Sequence, residues 1–167
     1  MYTTIDSFLA TWAYEAEGTQ KLLDTLTDAS LGTSAVPDGR TIGRLAWHIA
    51  QTIPEMMGHT GLQVAGPGER EPVPAHAADI ASGYRTAAAA LVAQLREQWT
   101  DASLQQTDMM YGEPWTRAMT LNALVAHQIH HRGQLTVLMR IAGLRVHGIY
   151  GPAREDWAGM GMEPPPV

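Results

Sequence analysis

Apolar residues recur at helical spacing along four stretches of the chain, separated by segments that are polar or rich in glycine and proline. From Thr4 to about Leu31, the positions Phe8, Leu9, Trp12, Ala16, Leu22, Leu23 and Leu26 keep approximately to one face, and Thr4 or Asp6 is placed to accept from the orphan amides of the first turn. Pro37-Asp-Gly-Arg40 reads as a turn, after which Thr41 can cap a second helix, about 41–60, through Leu45, His48, Ile49, Thr52 and Met56. Pro54 is expected to kink that helix or loosen its last turns. Gln63 to Pro74 carries Gly66, Pro67, Gly68, Pro72 and Pro74, which makes it a crossing loop.

A third helix is predicted over about 75–99, where the Ala87–Ala90 run favours helix and Leu91, Leu95 and Trp99 recur every fourth residue. Residues 100–119 are polar and interrupted by Gly112 and Pro114, and read as a second long connection. The fourth helix is predicted over about 120–142, stopped by Gly143. The tail, 143–167, contains Tyr150-Gly-Pro152 and Pro164-Pro-Pro166, with room for one short helix near Trp157. No segment alternates in the manner of a strand. The expectation is therefore all-α: one four-helix bundle over residues 1–167, whose long connections permit parallel as well as antiparallel neighbours.

Composition narrows the chemistry. The 167 residues carry 11 Lys and Arg against 17 Asp and Glu, a formal net charge of −6, which argues against a grip on nucleic acid phosphates. The start of the chain lacks a basic, apolar leader, and the longest purely apolar run, Ala87 to Ala93, is far short of a membrane span, so a cytoplasmic protein without a membrane partner is expected. With no cysteine there is no disulfide, thiolate ligand or thiol nucleophile. A metal would have to be held by carboxylates or by some of the seven histidines.

His127 and His131 are four residues apart, so they lie only about 40° apart on the helical wheel and point the same way. Leu124, Leu135 and Leu138 share that face, whereas Arg132, Thr136 and Arg140 fall on the far side. His130 diverges by about 100° from His131 and is left at the rim. Two inward imidazoles need partners, because an unpaired buried polar group costs about 1–3 kcal/mol. A divalent metal would serve both, with His48, on the inward face of the second helix, as the strongest third ligand and His59 well behind it. Hydrogen-bonded core histidines are the other reading of the same residues. Gln128 stands where a zinc protease needs its glutamate, which removes that reading.

Other motifs carry less. Gly159-Met-Gly161 does not open a helix after a strand, so it is no nucleotide site. Trp12, Trp47, Trp99 and Trp115 read as packing residues, and Met56-Met57 and Met109-Met110 as core or pocket filler. Glu55 lies near the His48 face but about 10 Å along the axis, an acid that is solvated or stands behind the ligands.

The phrases Gly39-Arg-Thr-Ile-Gly-Arg-Leu-Ala-Trp-His48-Ile-Ala and His127-Gln-Ile-His-His-Arg-Gly-Gln134-Leu, and the ending Gly148-Ile-Tyr-Gly-Pro152, resemble the DinB/YfiT-like superfamily, which is unrelated to the DNA polymerase sharing part of its name. The resemblance spans nearly the whole chain, including the Phe8, Trp12, Glu15, Glu17 pattern of the first helix. It implies an up-down-down-up four-helix bundle, often dimeric, that holds one divalent metal on three histidines, here His48, His127 and His131. Relatives include metal-dependent transferases and isomerases that use a low-molecular-weight thiol such as bacillithiol or mycothiol, while many others have no known reaction; the fold and metal site carry over to this chain, and the reaction does not.

Three neutral imidazoles leave a coordination position open, as in a catalytic site, where a bound water or cosubstrate thiol has its pKa lowered. The expected protein is thus a metal-dependent transferase or hydrolase, with zinc or nickel foremost and iron also suited to imidazole. The alternative is a non-catalytic, stress-response type of bundle in which the metal only staples helices. His59, His76, His130 and His147 receive no role, and any thiol in the reaction must arrive as a cosubstrate because the chain has none.

Overall fold

The structure is a computed structural model and describes residues 1–166; Val167, the end of the predicted tail, lies outside the described residues. Four long helices dominate: α1 (Ile5–Leu23), α2 (Ile42–Gly58), α3 (Ala77–Gln98) and α4 (Arg117–Ile141). Threonine starts three of them. Thr4, Thr41 and Thr116 each sit in an extended conformation and accept a hydrogen bond from the amide three residues on. The fourth is capped from a distance, since the carboxylate of Asp28 accepts from Ala77 N at 2.8 Å. Asp101 does the same for the first turn of α1, accepting from Ile5 N at 2.7 Å.

Helix directions follow from cross-helix registers. Trp12 Nε1 donates to Ala88 O and Gln20 Nε2 to Ala81 O, so α1 and α3 are antiparallel. Arg117 donates to Thr60 O and Gln128 to Ile49 O, so α2 and α4 are antiparallel too. α2 and α3 run parallel: Trp47 faces Gly83, and further along Pro54 and Ala87 both pack at Gly66. The order is up, down, down, up, with α1 and α2 each set between α3 and α4. The parallel pair is close. A Cβ at Gly83 would lie 2.7 Å from Trp47 Cζ3, so only glycine lets the indole in.

The core runs the length of the bundle through Phe8, Trp12, Leu22, Ile49, Ile53, Tyr84, Leu91, Leu121 and Leu135. Trp12, Trp47 and Trp99 are buried in it, as expected of packing residues, together with Met56, Met57 and Met110. Among the described residues, no helix is long and apolar enough to cross a membrane.

The structure corrects the sequence reading in four places. α1 ends at Leu23 instead of near Leu31; beyond it Thr27 turns extended, and Ser30 Oγ accepts from Thr27 N and donates to Thr27 O, closing a separate 3-10 turn over Asp28–Ser30. As expected, α2 lies within 41–60, and it stays helical through Pro54 to Gly58. α4 starts three residues early, at Arg117, because Thr116 is its cap. Finally, the chain does contain strands: β1 (Thr107–Met110) pairs antiparallel with β2 (Glu113–Thr116). Tyr111 and Gly112 make their two-residue turn, both at positive φ (52° and 90°), as a tight hairpin with native twist requires. Buried Met110 anchors this hairpin, whereas Met109, read as filler, points outward. Arg117 fastens it by pairing with Asp108 at 2.8 Å, donating to Thr60 O and lying over the Trp99 ring. The tail, expected to hold at most one short helix, forms two short 3-10 turns around Trp157, Arg154–Asp156 and Ala158–Met160.

Candidate metal centre

α2 and α4 bring His48, His127 and His131 together, each offering one ring nitrogen, all within 4.8 Å of one another. The rings meet edge to face, with centroids 4.3–5.0 Å apart. His59 is not among them: its Nε2 lies 3.2 Å from Glu55. The His127–His131 spacing is the one anticipated from an i, i+4 pair, and His48 reaches them because of its neighbour. Gln128 Nε2 donates to Ile49 O at 2.9 Å, so the residue after His127 is bonded to the residue after His48. This bond fixes the sliding register of α2 against α4. In the sequence Gln128 served only to exclude a protease, and nothing there signalled its structural task.

Gln134, one turn beyond His131, sets that ring's tautomer. Its Oε1 lies 2.9 Å from His131 Nδ1, which is therefore the protonated nitrogen, leaving Nε2 a free lone pair directed into the site. The amide of the same side chain reaches His130 Nε2 at 3.1 Å, which gives His130 a supporting place at the rim. His76 pairs with Asp28 at the surface, and His147 borders a shallow depression beside Tyr150.

The electrostatics keep these imidazoles neutral. Burial, followed by the neighbouring imidazole charges, pushes His48 and His127 down to about 4. Burial lowers His131 as well, against the opposing pull of its Gln134 bond. Neutral rings are what a metal requires, since protonation and metal compete for one lone pair. The spacing also fits. Two bonds of about 2.05 Å at a tetrahedral angle put their nitrogens about 3.3 Å apart, and His127 Nε2 and His131 Nε2 are 3.0 Å apart. His127 Nδ1, on the other side of its ring from that contact, is buried without a protein partner.

His48 and His127 form one wall of a cavity of about 440 Å³. Met56, Ala123 and Trp115 supply its apolar surface, and Arg44, Gln51, Glu55 and Glu69 its polar groups. Trp115, read as a packing residue, is only partly buried and faces this space. The Pro-rich connection over 63–74 is held to α2 by Gln51 Nε2, which donates to Gly68 O, Glu69 O and Glu71 O, and by Trp47 Nε1, which donates to Glu71 O. Opposite, the hairpin tip reaches across the mouth, where Tyr111 OH donates to both oxygens of Glu55 at 2.9 and 3.1 Å. Burial and that carboxylate push the Tyr111 hydroxyl well above its ordinary value, so it stays a donor.

On the opposite face of α4, Arg132 does point away from the histidines, as its wheel position requires, yet it is buried instead of solvated. It pairs with Glu15 at 2.5 Å and also donates to Glu15 O, Thr19 Oγ1 and Tyr150 OH. Tyr150 in turn donates to Glu15, and its hydroxyl is pushed up to about 12, mainly by burial. This network locks the tail onto α1 and α4, with Tyr14 OH adding a bond to Ile149 O.

Comparison with known proteins agrees with this geometry. The model of the DinB family matches residues 1–165. The uncharacterized protein YrdA of Bacillus subtilis (strain 168) is 47% identical over 165 residues, covering 99% of each chain. The crystal structure of a DinB-like protein from Bacillus cereus ATCC 10987 superposes with a TM-score of 0.87 at 48% identity, over 90% of this chain and 100% of that one. A second DinB-like protein, YjoA of Bacillus subtilis, has the same fold at 17% identity, with a TM-score of 0.68 over 88% of this chain and 99% of its own. With a bundle of this topology, a three-histidine cluster and a family match over almost its full length, the chain belongs to the DinB family.

Proposed function

We propose that this protein is a metal-dependent enzyme whose divalent ion, zinc or nickel, is held by His48, His127 and His131 and acts on a small molecule in the adjoining cavity. The observation that carries the reading is the wall shared by ligands and cavity: His48 and His127 border an open space of about 440 Å³. A metal serving only to staple helices would be closed by a fourth protein ligand. Glu55 and His59, the two residues that could have closed it, are engaged elsewhere, Glu55 with Tyr111 and His59, and His59 with Glu55.

When bound, such an ion lowers the pKa of a water or a low-molecular-weight thiol and so supplies a nucleophile at neutral pH. The protein's own residues do the rest. Gln134 keeps His131 Nε2 deprotonated and aimed inward. Met56, Ala123 and Trp115 exclude water from the substrate's apolar part, while Arg44 and Glu55 offer opposite charges that orient it. With a thiol the product is a conjugate formed at an electrophilic carbon, and with water an activated bond is hydrolysed.

The test has two parts. Elemental analysis of protein purified without a nickel column should find about one divalent ion per chain, lost in His127→Ala. The metal-loaded protein should then conjugate a thiol to, or hydrolyse, members of a broad electrophile panel. A loaded protein inert across that panel, with its thermal midpoint raised by metal, would establish the staple; absence of any metal would remove both readings.

A further inference from the structure

We propose that the cavity between the start of α2 and the last third of α4 is a second ligand site, which takes a small carboxylate with an apolar body. This cavity is also about 440 Å³, and none of the three clustered histidines lines it. Its walls are Ala35, Leu45, Val137 and Leu138, with two polar groups, Arg40 and Gln134. Among the described residues no acidic side chain borders it, in contrast to the first cavity with Glu55 and Glu69.

The protein is acidic overall, and Lys21, Arg85, Arg117, Arg132, Arg140 and Arg145 each rest on a carboxylate. Among the described residues five arginines rest on no carboxylate, Arg40, Arg44, Arg70, Arg96 and Arg154, and Arg40 is the one that borders this cavity. A guanidinium beside four aliphatic walls matches a ligand that is anionic at one end and apolar at the other, and its planar fork suits a carboxylate in particular. Free phosphate would leave the aliphatic walls uncovered. Gln134 is not a free donor, since His131 and His130 occupy both ends of its amide. It is instead the wall through which an occupant of this cavity touches a ligand of the first site.

The test uses the full chain in a methyl-labelled NMR titration, with benzoate as probe and benzamide as its uncharged counterpart. Benzoate should shift the methyls of Val137 and Leu138, and benzamide should bind at least about ten-fold more weakly, as loss of a charge-assisted bond implies. Arg40→Ala should weaken benzoate by a similar factor and Arg40→Lys by less. Arg40 is exposed, so neither change threatens the fold. His48→Ala, stripped of metal, should bind benzoate as the unaltered protein does. That arm separates this site from the proposed metal centre: loss of binding there means the carboxylate had bound the metal, and the inference fails. It fails equally if benzoate and benzamide bind alike, if Arg40→Ala binds undiminished, or if Val137 and Leu138 stay unmoved up to about 50 mM.

Discussion

Replacing Glu15 by alanine isolates the energetics of the buried network on the outer side of α4. The Glu15 and Arg132 side chains are 6% and 3% exposed, so the substitution strands a guanidinium that cannot rehydrate. Breaking a buried pair from one side costs about 3–5 kcal/mol, because the remaining charge is left without compensation. Three acceptors survive, the backbone oxygen at position 15, Thr19 Oγ1 and Tyr150 OH, which places the expected loss toward the lower end of that range. For a domain of this size each kcal/mol moves the thermal midpoint by about 2–4 °C, so a fall of about 6–16 °C follows. Urea unfolding measures the loss directly, with an unchanged denaturant slope showing that the native state is intact. The double variant Glu15→Leu, Arg132→Met should recover most of the stability, since the cost lies in the unpaired charge and not in the lost attraction. A single-variant loss below about 1 kcal/mol, or a double variant as unstable as the single one, would refute the reasoning.

Three further outcomes are expected. Gly83→Ala should destabilise by about 1–2 kcal/mol, as a Cβ 2.7 Å from the Trp47 ring overpacks the α2/α3 contact by more than helix propensity returns; Gly133→Ala, with open space around its Cβ, should instead stabilise by about 0.5–1 kcal/mol, and paired thermal melts with the reverse order would contradict this. Gln134→Ala should weaken metal affinity about 10- to 100-fold by freeing the His131 tautomer, read by competition with a chromogenic chelator. In metal-free protein His48 and His127 have folded values of about 4, below the ordinary 6.5, so the unfolded chain binds protons first as pH falls. Their contribution to stability is thus complete above about pH 6.5 and lost between there and about pH 4. A His48→Gln, His127→Gln variant should therefore gain on the unaltered protein over that window in urea midpoints, and parallel curves would show the shifts absent.

The parts that sequence made legible were those with a period. Four apolar stripes located α1–α4, and the i, i+4 geometry of His127 and His131 put both rings on one face before any packing was known. His48 was recognisable because it lies on the apolar face of α2 with Leu45 and Met56. Features set by partners distant in sequence were not visible. Arg132 falls on the polar side of its own helix, and only the arrival of Glu15 and Tyr150, 117 residues before and 18 after, makes that side buried. The hairpin escaped because its four-residue strands are mostly exposed and β2 contains Pro114, leaving no alternation to detect. The dipeptide Tyr111-Gly112 was the available hint, glycine being at home at positive φ while tyrosine is not. The early end of α1 reflects local bonding by Ser30, which competes with helix without altering hydropathy.

All three clustered histidines sit on helices, whereas Glu69, Tyr111 and Trp115 enter the cavity from connecting segments. Those segments are fastened by a few bonds, from Gln51 and Trp47 on one side and Arg117 on the other. The cavity lining and the histidine cluster therefore rest on separate parts of the chain: the hairpin or the Pro-rich crossing can be exchanged, lengthened or randomised in a library while the three-histidine frame stays intact. For engineering, this bundle is a chassis whose specificity modules can be swapped by loop grafting, with Gln51, Trp47 and Arg117 retained as the attachment points.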